Sequence, residues 1–310
     1  MKVSVIISTY NNDQYLGEAI DSILGQDRLD NGDFECIVVD DGSTDDTPKL
    51  LANYRDPRLQ TYRLPANCGI GIARNVGIRC AKGEYIAIMD GDDIAFPQRL
   101  SAQARFLDKN PGVHILGTRT VRVQDTPANI INKPPHPVED AIIKSRLLLL
   151  NGTAMINPTS MVRRQFIDKH QLLYASISID EDHEFWIQCV AAGARFHTLE
   201  DTLLYKRRHS SNITLTQAHT KEAGKLPLRI KLIGMYFPHL TTFEASNLAL
   251  LFQKGISLTR DQATAGLEAG KKALTESRSY YGESRPQLRE ILQVYLSAVN
   301  NAIKSSQAAI

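Results

Sequence analysis

The sequence lacks the marks of several protein classes. Its 310 residues contain four cysteines and no C-x-x-C pair, so neither a disulfide framework nor a zinc site is indicated, and we expect reduced, mostly buried thiols. Lysine and arginine number 36 against 34 aspartates and glutamates, which leaves a net charge of +2 and gives no support for nucleic-acid binding. No apolar stretch reaches the roughly 20 residues of a membrane-spanning helix.

Signals for export and for phosphate loops are also missing. The opening segment MKVSVIISTYNN has a short apolar run without the small-residue cleavage site of a secretory signal, so we expect a cytoplasmic protein. The segment GIGIARNVG (69–77) lacks the third glycine of a dinucleotide-binding loop. The segment GLEAGKK (266–272) has three residues between its glycines instead of the four of a P-loop. Neither segment predicts phosphate binding.

Strand and helix patterns alternate over the first hundred residues. Continuous apolar strands separated by helices are typical of a mainly parallel sheet with helices on both faces, a Rossmann-like α/β fold. Farther along, the pattern is mixed, and beyond about residue 215 only helical patterns remain. We therefore predict an α/β domain at 1–215 and a helical C-terminal extension at 216–310. The predicted strands are 3–7, 34–40, 59–64, 84–89 and 113–123; the predicted helices in the α/β domain are 14–26, 45–55, 69–81, one that begins near Pro97, and 180–194; a surface loop is predicted at 126–137.

Three aspartates follow the predicted strand 84–89 in the segment IAIMDGDDIAFP. In an extended backbone Asp90 and Asp92 point to the same side, and Gly91 lets the chain bend closely. Two carboxylates on an open loop suit Mg²⁺ or Mn²⁺, with water and substrate phosphates as further ligands. The alternative is that the acids cap the next helix, a role that we assign to Asp93.

A second acidic segment, VVDDGSTDDT (38–47), follows the strand 34–40. Ligands of parallel α/β sheets bind beyond the carboxyl ends of the strands, where both acidic segments are expected to lie. A carboxylate here can accept the imide N–H of uracil, thymine or guanine, whereas cytosine has none. We assign Asp41 to the base and Asp40 to the turn; an Asx turn before a capped helix is the structural alternative.

Four motifs in order resemble family 2 glycosyltransferases of the GT-A fold. They are VSVIISTYNN, CIVVDDGSTDDT, NCGIGIARNVGIRCAKGEYIAIMDGDD and DEDHEFWIQCVAAGARF, and they cover roughly residues 1–215. The resemblance implies an inverting hexosyltransferase-type enzyme that uses a nucleotide-sugar donor, with a UDP-sugar favoured. It also implies a divalent cation, Mn²⁺ or Mg²⁺, and a role in bacterial surface polysaccharide synthesis.

The same resemblance implies roles for individual residues around the donor. Tyr10 and the two hydroxyl residues before it border the nucleotide, Arg74 lies near the ribose or diphosphate, and Asp90 faces the ribose or a metal-bound water. For Arg74, a solvated surface charge is the alternative. The implied nucleotide-binding residues are Ser8, Thr9, Tyr10, Asp41, Arg74, Asp90 and His209, and the implied metal ligands are Asp92, Asp90 and His209.

Catalysis is assigned to the acidic pair at the start of the helix 180–194. Asp182 is the predicted base that takes the acceptor proton, Glu181 orients the acceptor, and Asp180 is the predicted N-cap. Acids in a first helical turn are also common simply because the helix dipole stabilises them.

A basic segment, YKRRHSSNIT (205–214), carries His209, which the resemblance places near the diphosphate and metal on a donor loop. Arg207 and Arg208 are expected to neutralise the leaving diphosphate. Relatives often carry tyrosine three residues before this histidine, where this chain has Lys206, a departure from the family pattern.

Residues 206–237 are rich in basic and apolar residues, which suits peripheral contact with the inner face of the cell membrane, where lipid-linked acceptors would be found. The alternative is a helix that packs on the catalytic domain with its charges in solvent. The C-terminal helices are a candidate for homo-oligomer contacts. A saccharide or lipid-linked acceptor is expected, and a sugar-nucleotide pyrophosphorylase or a non-catalytic sugar-nucleotide-binding protein are the rival functions.

Overall fold

The structure, a computed structural model, describes residues 1–29, 32–175, 180–210, 218–255 and 257–308. The chain forms two compact units. The first contains Met1–Val138 and Met155–Thr216, and the second contains Glu139–Ala154 and Gln217–Ile310. The second unit therefore includes residues 139–154 in addition to the C-terminal helices.

The first unit contains a mixed sheet, with nine strands among the described residues. The strands are β1 (Val3–Thr9), β2 (Phe34–Asp40), β3 (Leu59–Arg63), β4 (Tyr85–Asp90), β5 (Ile94–Ala95), β6 (Ile115–Gln124), β7 (Ile130–Asn132), β8 (Met161–Arg163) and β9 (Phe196–Arg208). Their order in the sheet is β3-β2-β1-β4-β8-β6-β9-β5, with β7 paired to β6. The neighbours β3, β2, β1 and β4 are parallel, as expected for the first hundred residues.

All five helices predicted within residues 1–215 are present, and two more, at 140–147 and 164–170, were not predicted. The Rossmann-like arrangement of a mostly parallel sheet with helices is confirmed. The helices of the first unit are α1 (Leu16–Leu24), α2 (Thr47–Ala52), α3 (Ile70–Cys80), α4 (Arg99–Lys109), α6 (Arg164–His170) and α7 (Glu181–Ala191), with a 3₁₀ turn at Asn157–Thr159. The helix α5 (Asp140–Leu147) belongs to the second unit.

Alternate residues of the central strands contact helices on opposite faces of the sheet. Cys36 and Val38 of β2 belong to a core cluster that also contains residues of α1 and α4. Ile37 and Val39 belong to a second cluster with Ala73 of α3. Side chains of a strand alternate between faces, so both faces of β2 are covered, and this explains why its sequence is apolar throughout.

Two details of the middle of the chain differ from prediction. The segment 126–137 is not entirely loop, because residues 130–132 form β7, which pairs antiparallel with β6. Proline favours the first turn of a helix, so Pro97 was expected inside the helix that begins near it. That helix begins at Arg99 with Gln98 as its N-cap, so Pro97 precedes the helix. Proline cannot donate a ladder hydrogen bond, which is consistent with its place between β5 and α4.

Helices form the rest of the second unit, as predicted for the C-terminal region. Two of them begin with capping boxes, in which Thr241 pairs with Glu244 and Thr259 pairs with Gln262. Among the described residues, every helix is too short or too polar to cross a bilayer. The further helices are α8 (Ala218–Tyr236), α9 (Thr242–Leu250), α10 (Arg260–Leu274) and α11 (Arg285–Ala308).

Part of the basic segment 206–237 is buried within the second unit. Arg229 of α8 is 1% exposed and donates hydrogen bonds to the Leu148 carbonyl and to Gln253 Oε1. Arg229 therefore cannot belong to an exposed basic face, which corrects the expectation for that residue. Residues 211–217 of the segment lie outside the described residues, and its membrane contact stays a prediction.

Candidate active site

The acidic turn after β4 is compact. One carboxylate oxygen from each of Asp90, Asp92 and Asp93 lies within 4.8 Å of the others. Gly91 lies tightly packed inside this turn, because a Cβ there would lie 2.9 Å from Asn12 Nδ2 and 3.3 Å from Leu16 Cδ1. A side chain at position 91 would therefore require these two side chains to move.

Two cations neutralise Asp90. Arg74 Nη2 lies 3.0 Å from Asp90 Oδ1, and Lys206 Nζ lies 3.4 Å from Asp90 Oδ2. Lys206 reaches the turn because β9 pairs with β5, which places Tyr205 opposite Ile94. Burial acts to raise the pKa of Asp90, but the positive charges of Lys206 and Arg74 outweigh it and lower that pKa below its ordinary value.

Asp93 is a buried member of the turn and not a helix cap. It is 1% exposed and its Oδ1 accepts a hydrogen bond of 2.9 Å from the Arg207 backbone N–H. Lys206 Nζ lies 3.7 Å from its other oxygen. Burial, together with the charges of Asp92 and Asp90, raises the pKa of Asp93 well above its ordinary value despite Lys206. The predicted capping role of Asp93 is therefore wrong, because its carboxylate is turned toward β9.

Arg74 of α3 joins the acidic turn to α7. Its guanidinium forms ion pairs with both Asp90 and Glu181 and lies over the Tyr174 ring, 5.2 Å from the centroid. The Asn157 amide, with its oxygen toward the guanidinium, accepts from both terminal nitrogens of Arg74 at 3.2 Å. Arg74 is 3% exposed, so it is not the solvated surface charge that was the alternative for a helix arginine. These contacts make it an internal ion-pair partner for two carboxylates.

The first turn of α7 contains the predicted catalytic pair. Glu181 is 7% exposed, and burial raises its pKa to about 7, with Arg74 acting to lower it and Asp182 to raise it. The Asp182 side chain is 27% exposed, and its Oδ1 accepts a hydrogen bond of 2.8 Å from the His183 backbone N–H. Asp180 holds the N-cap position. Among the described residues, however, its side chain accepts no capping hydrogen bond from a backbone N–H of α7, and its carboxylate lies 3.3 Å from His183 Nδ1.

His209 lies directly against the acidic turn. Its Nε2 is 2.9 Å from Asp92 Oδ2, and its ring lies 4.5 Å from the Tyr15 ring, centroid to centroid. The carboxylate oxygens suit Mn²⁺ or Mg²⁺, and the imidazole nitrogen is a donor for a transition-metal ion. Asp92 and His209 could hold a cation together with Asp90, although both oxygens of Asp90 also face Arg74 and Lys206. A second group, of Asp180, Asp182 and His183, also has ligand atoms within 4.8 Å of one another.

The basic residues around His209 have different environments. Arg207 is 5% exposed, forms an ion pair with Glu18, and donates a hydrogen bond of 2.8 Å from Nε to the Asp92 carbonyl. The guanidinium is engaged inside the protein, and its role at the leaving diphosphate stays a prediction. Arg208 is exposed. The part of the predicted donor loop after residue 210 lies outside the described residues.

Residues predicted to border the nucleotide lie at the carboxyl ends of β1 and β2. The Ser8 and Thr9 hydroxyls are buried and, within the described ranges, have no hydrogen-bond partner, whereas Tyr10 is 45% exposed. Both Asp41 oxygens accept backbone N–H groups, from Cys68 and Gly69, each at 2.8 Å. Asp41 therefore fixes the start of α3 in addition to any contact with a base.

These features define a class of protein with a GT-A fold. An acidic turn follows the parallel strand β4, and Arg74 links this turn to the acidic first turn of α7. The profile of Glycosyl transferase family 2 matches residues 4–171. The chain belongs to this family and is a glycosyltransferase.

The chain is similar to several known family members. An uncharacterized glycosyltransferase of Methanocaldococcus jannaschii is 32% identical over 211 residues, which cover 66% of this chain and 70% of that protein. The succinoglycan biosynthesis protein ExoO of Rhizobium meliloti is 31% identical over 202 residues, which cover 62% of this chain and 57% of that protein. The crystal structure of Staphylococcus aureus TarS 1–349 in complex with UDP-GlcNAc shares the fold, with a TM-score of 0.65, 21% identity, and coverage of 96% of this chain and 88% of that chain.

Sequence reasoning missed three contributors to the site. Asn157 and Tyr174 contact Arg74, and Lys206 contacts Asp90 of the acidic turn. Of these three residues, only Lys206 was marked in the sequence, by its departure from the family pattern. The other two lie in segments whose local sequence carries no recognisable motif.

Proposed function

We propose that this glycosyltransferase inverts the sugar configuration as it moves a sugar from a nucleotide-sugar donor, in particular a UDP-sugar, to an acceptor hydroxyl. The UDP-GlcNAc bound to TarS supports the UDP assignment. The succinoglycan biosynthesis role of ExoO supports surface polysaccharide synthesis as the process. The acceptor would be a saccharide or a lipid-linked saccharide, and the protein would work in the cytoplasm, at the inner face of the membrane where the acceptor is lipid-linked.

One observation carries this proposal: the Arg74 guanidinium contacts both Asp90 and Glu181. The acidic turn and the start of α7 are therefore parts of a single site, although about ninety residues separate them in sequence. A glycosyl transfer needs a region that neutralises a diphosphate and a separate base for the acceptor. The contact supports the presence of both within reach of one substrate.

Asp182 is the base in this proposal. Its carboxylate takes the proton of the acceptor hydroxyl while the hydroxyl oxygen forms a bond to the anomeric carbon and the bond from that carbon to the diphosphate oxygen breaks. The nucleoside diphosphate leaves with the bonding electrons, and the proton stays on Asp182. Attack opposite the leaving group inverts the anomeric centre. Glu181, next to the base and paired to Arg74, fixes the start of the helix and helps to orient the acceptor.

Asp92 and His209, with Asp90 beside them, would hold Mn²⁺ or Mg²⁺. The 2.9 Å separation of His209 Nε2 and Asp92 Oδ2 and the oxygen-rich turn fit such an ion. When bound, the ion would supply positive charge to the diphosphate. Ser8, Thr9, Tyr10 and Asp41 would line the nucleoside, where two buried hydroxyls lack partners among the described residues.

The proposal is tested with the variant Asp182→Asn. Because the acceptor is unidentified, water serves as acceptor, and hydrolysis of UDP-GlcNAc with Mn²⁺ is followed by release of UDP. We expect a loss of about 10²-fold or more, the usual effect of removing a general base, while UDP still binds with Mn²⁺ by calorimetry. Asp168→Asn, which removes a negative charge from a side chain that is 58% exposed on α6, is the matched control.

The outcomes are distinct. Hydrolysis by Asp182→Asn at the rate of the control would remove Asp182 from its role. A thermal-shift screen of UDP-, GDP- and dTDP-sugars with and without Mn²⁺ tests the donor, and stabilisation by another nucleotide alone would overturn the UDP assignment.

A further inference from the structure

Lys206 places a permanent positive charge in the acidic turn. Its Nζ lies 3.4 Å from Asp90 Oδ2 and 3.7 Å from Asp93 Oδ2. A lysine ammonium that lies between two carboxylates is favoured in its charged form. The acidic turn therefore holds a cation of its own.

The position of Lys206 is open on one side. Its side chain is 33% exposed, whereas that of Asp93 behind it is 1% exposed, and those of Asp90 and Asp92 are 24% and 23% exposed. Lysine carries its charge on a flexible four-carbon stem. The ammonium can therefore leave the carboxylates and reach an anion in front of the turn while its backbone stays within β9.

Charge balance makes this position important for a divalent ion. Lys206 lies beside the carboxylates of Asp90 and Asp93, and Arg74 pairs with those of Asp90 and Glu181, so both cations share Asp90. Arg74 is 3% exposed and held by several partners, so it is fixed. A divalent ion beside Asp92 meets repulsion from Lys206 at short range, in a site where charges are poorly screened. A diphosphate would supply negative charge that offsets the repulsion between Lys206 and the divalent ion.

We propose that the Lys206 ammonium is the counter-ion of the acidic turn in the donor-free protein, where it weakens the binding of a divalent cation. When the donor and the cation bind, the ammonium contacts the donor diphosphate instead. Lys206 is thus a positioning residue that makes cation binding depend on the nucleotide. The inference rests on the proposed function, because it takes Asp92 and His209 as the cation site.

The test compares Mn²⁺ binding with and without UDP, read from the free Mn²⁺ signal in electron paramagnetic resonance. Titration of UDP with Mn²⁺ in the absence of protein corrects for complexes in solution. Lys206→Met removes the charge and keeps most of the stem, and Lys206→Arg keeps the charge. Lys272→Met, which breaks the Lys272–Glu244 ion pair in the second unit, is the control for loss of a paired lysine.

We expect Lys206→Met to bind Mn²⁺ about tenfold more tightly than the natural protein without UDP. The gain in Mn²⁺ affinity on adding UDP should shrink in this variant. Lys206→Arg and Lys272→Met should keep the natural values. If Lys206→Met does not fold, Lys206→Gln serves in its place, because its amide still donates to the carboxylates without a charge.

Two failures can be told apart. If the natural protein binds Mn²⁺ with UDP and the neutral variants bind it with the same affinities, the role of Lys206 is refuted while the proposed function stands. If no variant binds Mn²⁺ even with UDP, the cation site fails and the inference fails with it.

Discussion

Glu181→Gln should stabilise the first unit in a pH-dependent way. Glu181 is 7% exposed, and its carboxyl has a pKa of about 7 instead of the ordinary 4.5, mainly because burial penalises its charged form. A carboxyl with a raised pKa in the folded state contributes its full stability below pH 4.5, where it is protonated in both states. That contribution is lost as the pH rises through 7. Glutamine cannot ionise and avoids the loss.

The magnitude follows from the two pKa values. Each pH unit between them is worth about 1.4 kcal/mol, so the whole interval from 4.5 to about 7 amounts to about 3 kcal/mol. We expect the free energy of unfolding of Glu181→Gln to equal that of the natural protein near pH 4.5 and to exceed it by up to about 3 kcal/mol at pH 8.

Denaturant unfolding followed by tryptophan fluorescence measures this difference. The chain has one tryptophan, Trp186, which is fully buried on the same helix and therefore reports on the first unit. Glu184→Gln, one turn farther along α7, controls for the removal of a negative charge near the helix start. If the free energies of unfolding of Glu181→Gln and the natural protein differ by the same amount from pH 5 to 8, then burial does not raise the pKa of Glu181 and the reasoning is refuted.

Two further predictions concern buried charge and close packing. Arg74→Met should lower the free energy of unfolding by about 3 kcal/mol or more at pH 8, because two carboxylates lose their shared partner. Lys49→Met, which breaks an exposed ion pair, should leave the free energy of unfolding nearly unchanged. Equal effects of the two variants would contradict the internal role of Arg74. Gly77→Ala should destabilise by about 1–3 kcal/mol, since its Cβ would lie 2.5 Å from Ile6 Cγ2. Gly234→Ala, where nothing in the described part of the chain lies within 4 Å, should stabilise helix α8 by about 0.5–1 kcal/mol. Both glycine variants are checked by denaturant unfolding, and a shared sign would contradict the packing argument.

The roles of the basic residues could not be predicted from the sequence. Arg74, Lys206 and Arg207 are each a cation near a motif. The family resemblance implied a position near the ribose or diphosphate for Arg74, and the leaving diphosphate was the expected partner of Arg207. In the structure Arg74 and Arg207 are turned inward to carboxylates and carbonyls, and only Lys206 is partly open. Whether an arginine faces solvent or a buried acid depends on which distant segment packs over it. Local sequence does not contain that information.

The sequence by itself determined the order of strands and helices in the first hundred residues, because apolar continuity and helical periodicity are local properties. It also placed acids after β4 and at the start of α7. Tertiary structure decided how these acids are neutralised. Strand β9 lies beside β5, which brings Lys206 to within 3.4 Å of Asp90, and Arg74 joins Asp90 to Glu181. Ion pairs between residues a hundred positions apart follow from strand pairing and helix packing, and these form only when the whole chain folds.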